Sequence, residues 1–279
     1  MVEQARRQRE GTPPSTAAAY RTVLASRLRA QLQYPVSFGF DVVQAALGFL
    51  FGLVEVLGIF HNVPVLADLD VRAALLVYGL AAAGFGLANA VTGQLDTIPT
   101  YIRTGTLETM LVRPQPVLAQ ILTSDVTLRR IGASLVGAGT LAVALPLNHV
   151  AWTPAKVALV VVTPLVGGLL FAALFLAAGA LQFWLVDAAE VTSAFVYGGN
   201  YAAAYSAGVF PLPLRLFVVF AVPVSFAAYL PAAAILGLPG PPGAPGPLGW
   251  AAPAVALLVW FAAMRLWALG LRHYTGAGG

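Results

Sequence analysis

Cysteine is absent from this 279-residue chain, lysine occurs once, and charged side chains of all kinds make up only 9% of it. The first absence excludes disulfides, thiolate metal sites and thiol nucleophiles. Lys156, the one lysine, sits in Thr-Pro-Ala-Lys-Val-Ala. A phosphate-cradling loop needs its lysine inside a glycine-rich run, so this chain cannot hydrolyse ATP by that route. The shortage of charge is the most telling absence, because a soluble domain carries about 25% charged residues. Hydrophobic residues make up 59% and the mean hydropathy is +0.83. The solvent this composition suits is a bilayer.

Three histidines, His61, His149 and His273, lie far apart, which argues against a histidine-rich metal site. The net charge of +4 comes from arginines in loops and the N-terminal arm. Topology and lipid headgroups account for them, and no basic face with interleaved aromatics points to nucleic acid. Alanine, glycine, proline and arginine-for-lysine usage suits a GC-rich bacterial genome. The N-terminus stays polar past Arg6, Arg7, Arg9 and Glu10, unlike a secretory signal. Glu3 and Glu10 also argue against a transit peptide. Residues 1–16 read as a disordered cytoplasmic tail, 17–276 as one membrane domain and 277–279 as a short tail.

A spanning helix needs about 20 apolar residues. Hydropathy predicts spans at about 36–60, 73–93, 131–147, 157–183, 191–210 and 250–271, giving an all-α polytopic fold of six transmembrane helices. A seventh apolar run, 213–236, holds Pro223 and Pro231 after the Pro211–Pro213 turn. Broken backbone at membrane depth is tolerated where protein packs around it. This run is therefore read as a re-entrant outer hairpin. The alternative makes 214–236 the fifth span and leaves 191–210 interfacial. With both termini inside, twelve arginines face the cytoplasm, and only Arg72, Lys156 and Arg215 face outward. Residues 17–34 place Tyr20, Leu24, Leu28 and Leu32 at four-residue spacing, as an interfacial helix would. Glycines at 237, 240, 243, 246 and 249 give a Gly-X-Y period, read as a stiff, polyproline-like outer loop rather than collagen.

The inner loop 94–130 is far longer than the 2–8 residues or so that usually join helices. Within it, Leu107, Met110 and Leu111 share a helical face, ended by Arg113-Pro114. Docking into a groove on a soluble partner and lying on the membrane surface are both open to such a helix. Polar residues inside spans form two stripes. Asp41, Gln44, Gly48, Gly52 and Glu55 fall within an arc of about 80°. Ser193, Tyr197, Asn200 and Tyr201, with Tyr205 at the margin, form the other. Each stripe suits a substrate path, a subunit interface or plain interhelical hydrogen bonding.

The run Gly105-Thr106-Leu107-Glu108-Thr109-Met110-Leu111-Val112-Arg113-Pro114 resembles a segment of type-2 ATP-binding-cassette (ABC) exporter permeases. The likeness extends to Phe183-Trp184-Leu185-Val186-Asp187, the turn Phe210–Arg215, Val222-Pro223-Val224, Tyr229-Leu230-Pro231-Ala232 and the tail Gly270–Thr275. The subfamily has six spans and is encoded beside a separate ATPase. Thr106, where an acidic or polar residue is expected, and the Gly-X-Y loop depart from the pattern. The resemblance implies a permease that is not itself an enzyme, in a bacterial inner membrane. Two ATPase subunits would carry ATP and Mg, and a second permease copy or a paralogue would complete the path. It implies coupling through Arg103, Gly105, Leu107, Glu108, Met110, Leu111, Arg113 and Pro114. An ion-coupled secondary transporter is the competing expectation, but no inverted repeat is visible and the carboxylates sit near span ends. An intramembrane protease would want a suitably placed serine and histidine, and none is found.

Overall fold

A computed structural model describes residues 33, 35–124, 130, 132–185 and 189–274. The tail 1–16, the interfacial helix 17–34 apart from Gln33, and the tail 277–279 lie outside the described residues.

The fold is helical. Among the described residues the one sheet is a two-strand hairpin, β1 (Val65–Leu66) with β2 (Leu69–Asp70), in antiparallel register Val65↔Asp70. The hairpin joins α1 (Pro35–Asn62) to α2 (Val71–Thr92). Asp70 caps α2, its Oδ1 accepting from the Ala73 amide at 2.9 Å. α2 ends in a 3-10 turn, Gly93–Thr97, that opens the inner loop. The loop folds into α3 (Ile98–Arg103), α4 (Thr106–Leu111) and α5 (Val117–Ser124). Then come α6 (Gly132–Leu147) and α7 (Pro154–Leu181), the latter capped by Thr153.

Among the described residues, four helices are long and apolar enough to cross a membrane: Val42–Asn62, Val71–Arg103, Pro154–Leu181 and Gly246–His273. α6 has 16 residues, about 24 Å at 1.5 Å per residue, against an apolar core of about 30 Å. The run expected at 191–210 is segmented into α8 (Ala189–Thr192), a π turn (Ser193–Tyr197) and α9 (Gly198–Ala203). Helix α6 packs so closely on α2 that a Cβ on Gly137 would overlap the Ala83 backbone, and one on Gly86 would overlap Ser134.

The apolar run after Pro211 also breaks. α10 (Leu212–Leu216) passes into a π turn that stops before Pro223, and α11 (Tyr229–Leu236) follows a short 3-10 turn. Neither piece has spanning length, and residues 223–235 are buried throughout. Pro223 interrupts the helix, as expected. Pro213 and Pro231 instead lie in first turns, where a missing N–H costs nothing.

The Gly-X-Y loop corrects its reading. Gly237, Gly240 and Gly243 have φ of 74°, 75° and 81°, whereas a polyproline helix keeps φ near −75°. Left-handed glycines fold the loop back on itself, with the Gly246 amide donating to the Pro239 carbonyl at 2.8 Å. Arg215 holds the turn together, donating to the carbonyls of Ala207, Phe210 and Pro242 at 3.1, 2.9 and 3.1 Å. A final 3-10 turn, Gly246–Ala251, leads into α12 (Ala252–His273).

Candidate functional site

Two places gather the chemistry: a corner at the end of the bundle that carries the inner loop, and a hollow between α1, α2 and the segmented run 189–203.

At the corner, Gly105 takes φ 68°, a left-handed turn that separates α3 from α4. Leu107 is 0% and Met110 8% exposed, and both join the main core with Val117 and Ile121. Leu111 is 41% and Val112 85% exposed. The expected common face of Leu107, Met110 and Leu111 therefore splits. The first two anchor α4 to its own bundle, and the turn 111–116, with Arg113 and Pro114, is exposed throughout. Burial of Leu107 and Met110 leaves the exposed turn 111–116 as the surface open to a partner or to the membrane. Gln120 braces the turn, its Nε2 donating to the Met110 and Gln115 carbonyls at 2.9 Å each. Arg103 ends α3, exposed.

Glu108 reaches the far end of the chain, where the Tyr274 hydroxyl donates to its Oε1 at 2.6 Å. Burial, together with the neighbouring Glu108 carboxylate, pushes the Tyr274 hydroxyl up to about 12. Tyr274 also meets Phe183 edge-on at 5.8 Å, and Phe183 meets Trp267 at 5.3 Å. His273 stacks on Trp184 at 5.7 Å. The Phe183-Trp184 and Gly270–Tyr274 motifs, separate in sequence, thus make one cluster beneath α4. Asp187 lies outside the described residues.

In the hollow, Gly48, Gly52 and Glu55 of the first polar stripe face Tyr197, Asn200, Tyr201 and Tyr205 of the second. Glu55 accepts from the Tyr201 hydroxyl at 2.9 Å and the Tyr205 hydroxyl at 3.0 Å. They line a cavity of about 390 Å3 with Gly48, Gly52, Tyr78, Phe85, Asn89, Tyr197 and Asn200. The Asn200 Oδ1 is buried there with no hydrogen-bond partner among the described residues. Tyr78 donates to the Phe49 carbonyl. Gln44 is exposed on α1 and does not line this hollow; the side chains of Asp41 and Ser193 lie outside the described residues.

Three residues escaped the sequence reading. Asp96 accepts from the Tyr197 hydroxyl at 2.7 Å. Arg130 donates to Asn89 Oδ1 at 3.2 Å across bare Gly93, where any Cβ would overlap the guanidinium. Asn89, Asp96, Arg130 and Tyr197 line a smaller polar cavity of about 270 Å3. The available signal was a carboxylate and an arginine at the two ends of one loop. Arg130 was read only as a topological charge.

The chain is an apolar multi-pass helical bundle with a structured loop at one end and a largely apolar hollow that carries Glu55, Tyr201 and Tyr205. A model of the ABC-2 family transporter proteins matches residues 45–278, and the chain belongs to that family. Comparison with curated proteins and with solved structures returns no match. The chain is thus an ABC transporter permease, a multi-pass membrane protein whose family implies an ABC ATPase as partner.

Proposed function

We propose that this permease exports its substrate across a bacterial inner membrane, driven by ATP hydrolysis on two separate subunits that hold ATP and Mg. Two copies, or one copy with a paralogous permease, enclose the path. Both termini face the cytoplasm. Six crossings run through α1, α2, α6, α7, the 191–210 run and α12, and the 213–236 hairpin enters and leaves from outside.

The carrying observation is the form of the inner loop: a root fixed in the core by Leu107 and Met110, and a tip, 111–116, left bare. A push on the tip passes through Glu108 to Tyr274 and so to α12. Arg103 and Arg113 supply cations at the docking face, Gly105 the bend, and Pro114 the stop. The 191–210 run as fifth crossing draws support from its contacts. Tyr197 meets Asp96 at the inner end, while Ser206 Oγ donates to the Ala67 carbonyl of the opposite hairpin at 3.1 Å. Glu55 fits a path wall, because a carboxylate facing lipid is costly.

The test uses the natural lack of cysteine. Val112→Cys carrying a photoreactive maleimide is expected to cross-link to the co-expressed ATPase, and Val65→Cys is not. Capture of no ATPase from the tip would reject this docking role. In the same system, Glu108→Ala with Arg113→Ala is expected to abolish ATP-driven transport while the chain still inserts.

A further inference from the structure

Among the described residues, Tyr197 is the one tyrosine that lines both cavities. The chamber of about 390 Å3 and the inner polar hollow of about 270 Å3 share Ala45, Phe49, Asn89 and Tyr197 as lining. The Tyr197 ring lies against Phe85 at 5.8 Å and edge-on to Phe175 at 6.1 Å, which holds it where the two cavities adjoin. Its hydroxyl is fixed on Asp96. It also ends a π turn, a helix irregularity frequent at functional sites and able to give without unwinding the whole helix.

The two charged groups around Tyr197 both belong to the loop with the exposed tip. Asp96 stands in the 3-10 turn that opens it, and Arg130 stands at its close, just before α6. In this structure they do not share a hydrogen bond. Arg130 donates to Asn89 Oδ1 and to the Asn89 carbonyl, at 3.2 and 3.3 Å. Asp96 holds Tyr197 by Oδ2, and its Oδ1 is buried with no hydrogen-bond partner among the described residues. Arg130 nevertheless acts on Asp96 electrostatically, and both line the same hollow. A buried carboxylate oxygen without a donor, beside a guanidinium held by neutral acceptors, favours an exchange of partners.

We propose that Tyr197 is the inner gate of the path, and that Asp96 and Arg130 work it as positioning residues. With the loop at rest, Asp96 holds the Tyr197 hydroxyl and the gate is shut. When the loop tilts, its two ends shift together, Arg130 leaves Asn89 for Asp96, and the carboxylate releases Tyr197. The hollow and the chamber then join. No covalent step is involved. The inference rests on the reading of the chamber as a path worked by an ATPase from the inner side.

Gly48 lines the chamber, and a Cβ there meets nothing within 4 Å, so Gly48→Cys supplies a tolerated reporter in a chain with no other cysteine. The full chain, with its co-expressed ATPase, is prepared as inside-out vesicles. Labelling by a membrane-impermeant maleimide from the cytoplasmic side is timed with and without ATP. Tyr197→Phe keeps the ring and removes the bond. It is expected to speed labelling without nucleotide about tenfold, the population shift that follows loss of one charge-assisted hydrogen bond. Asp96→Asn still accepts from Tyr197 but cannot pair with Arg130, and is expected to hold labelling at the slow rate whether or not ATP is present. Tyr205→Phe, which removes a hydroxyl of the same chamber bound to Glu55, is expected to change nothing. A Tyr197→Phe rate equal to its parent, in a parent that responds to ATP, overturns the gate and leaves the path reading standing. Equal acceleration by Tyr205→Phe means general loosening and also overturns it. Labelling indifferent to ATP in every variant, the Gly48→Cys parent included, sinks the ATPase-driven path and the gate with it.

Discussion

Glu108 and Tyr274 stand 166 positions apart and meet at 2.6 Å. A hydrogen bond to a carboxylate at a partly buried corner contributes about 1 kcal/mol. Tyr274→Phe keeps the contact with Phe183 and is expected to lower the thermal midpoint in detergent by about 2–3 °C. The sign of its pH dependence follows from the raised hydroxyl. A phenol near 10 when unfolded and about 12 when folded contributes fully below pH 10, and its contribution is lost as pH rises through 12. The gap between Tyr274→Phe and the parent should thus be flat from pH 6 to 9 and close above 10. A gap that widens above pH 10 would contradict the assignment of the bond. Individual residues were legible unevenly. Glu55 and Tyr201 each stood out as polar groups in apolar runs, although nothing in the sequence said that they bond. Asp96 and Arg130 were invisible as a pair, since a lone charge in a polar loop has a sufficient explanation without a partner.

Helix α6 offers a comparison between two glycines separated by one residue. A Cβ on Gly137 would overlap the backbone of Ala83, while one on Gly139 meets nothing within 4 Å. Gly137→Ala forces α2 and α6 apart and is expected to cost on the order of 3 kcal/mol. Gly139→Ala is expected to stay within about 1 kcal/mol of the parent. Detergent melting of both variants checks this, and equal melting points would deny the close approach. The same contrast tells what hydropathy can and cannot read. Long runs such as Pro154–Leu181 were located to within a few residues, because some twenty apolar residues in a row leave a bilayer helix no rival. The interruptions at Ser193–Tyr197 and Phe217–Ala221 were not legible, since a π turn is decided by neighbours rather than by composition. The Gly-X-Y run misled for a related reason. Its period suggested an extended chain, and Arg215, distant in sequence, gathers it into turns instead.

At the scale of the molecule, one end of each of α2, α7 and α12 meets the folded loop. Ile98 and Leu95 approach Gly179, and Tyr274 meets Glu108. At the opposite end lie the β hairpin, the α6–α7 connection, where Asn148 donates to the Arg72 carbonyl at 2.9 Å, and the Arg215 turn. Arg103, Arg113, Arg130 and Arg272 belong to the first end, and Arg72, Lys156 and Arg215 to the second. The charge rule favours the first end as the cytoplasmic one, the orientation proposed above. α1 is held less firmly than the other long helices, with Phe51 and Val54 exposed along one side. That side suits lipid or a second permease, whereas Glu55 suits neither unless the chamber it lines is wet or covered. Gln115→Cys at the loop tip and Val65→Cys at the hairpin separate the two ends cleanly, because no native thiol competes. In intact cells an impermeant maleimide is expected to modify the Val65→Cys variant and spare the Gln115→Cys variant, and inside-out vesicles should reverse the pattern. The reverse result in both preparations would turn the molecule over. The exposed tip would then face away from the cytosol, where ATP is, and no ATPase could reach the lever that Glu108 and Tyr274 tie to the last helix.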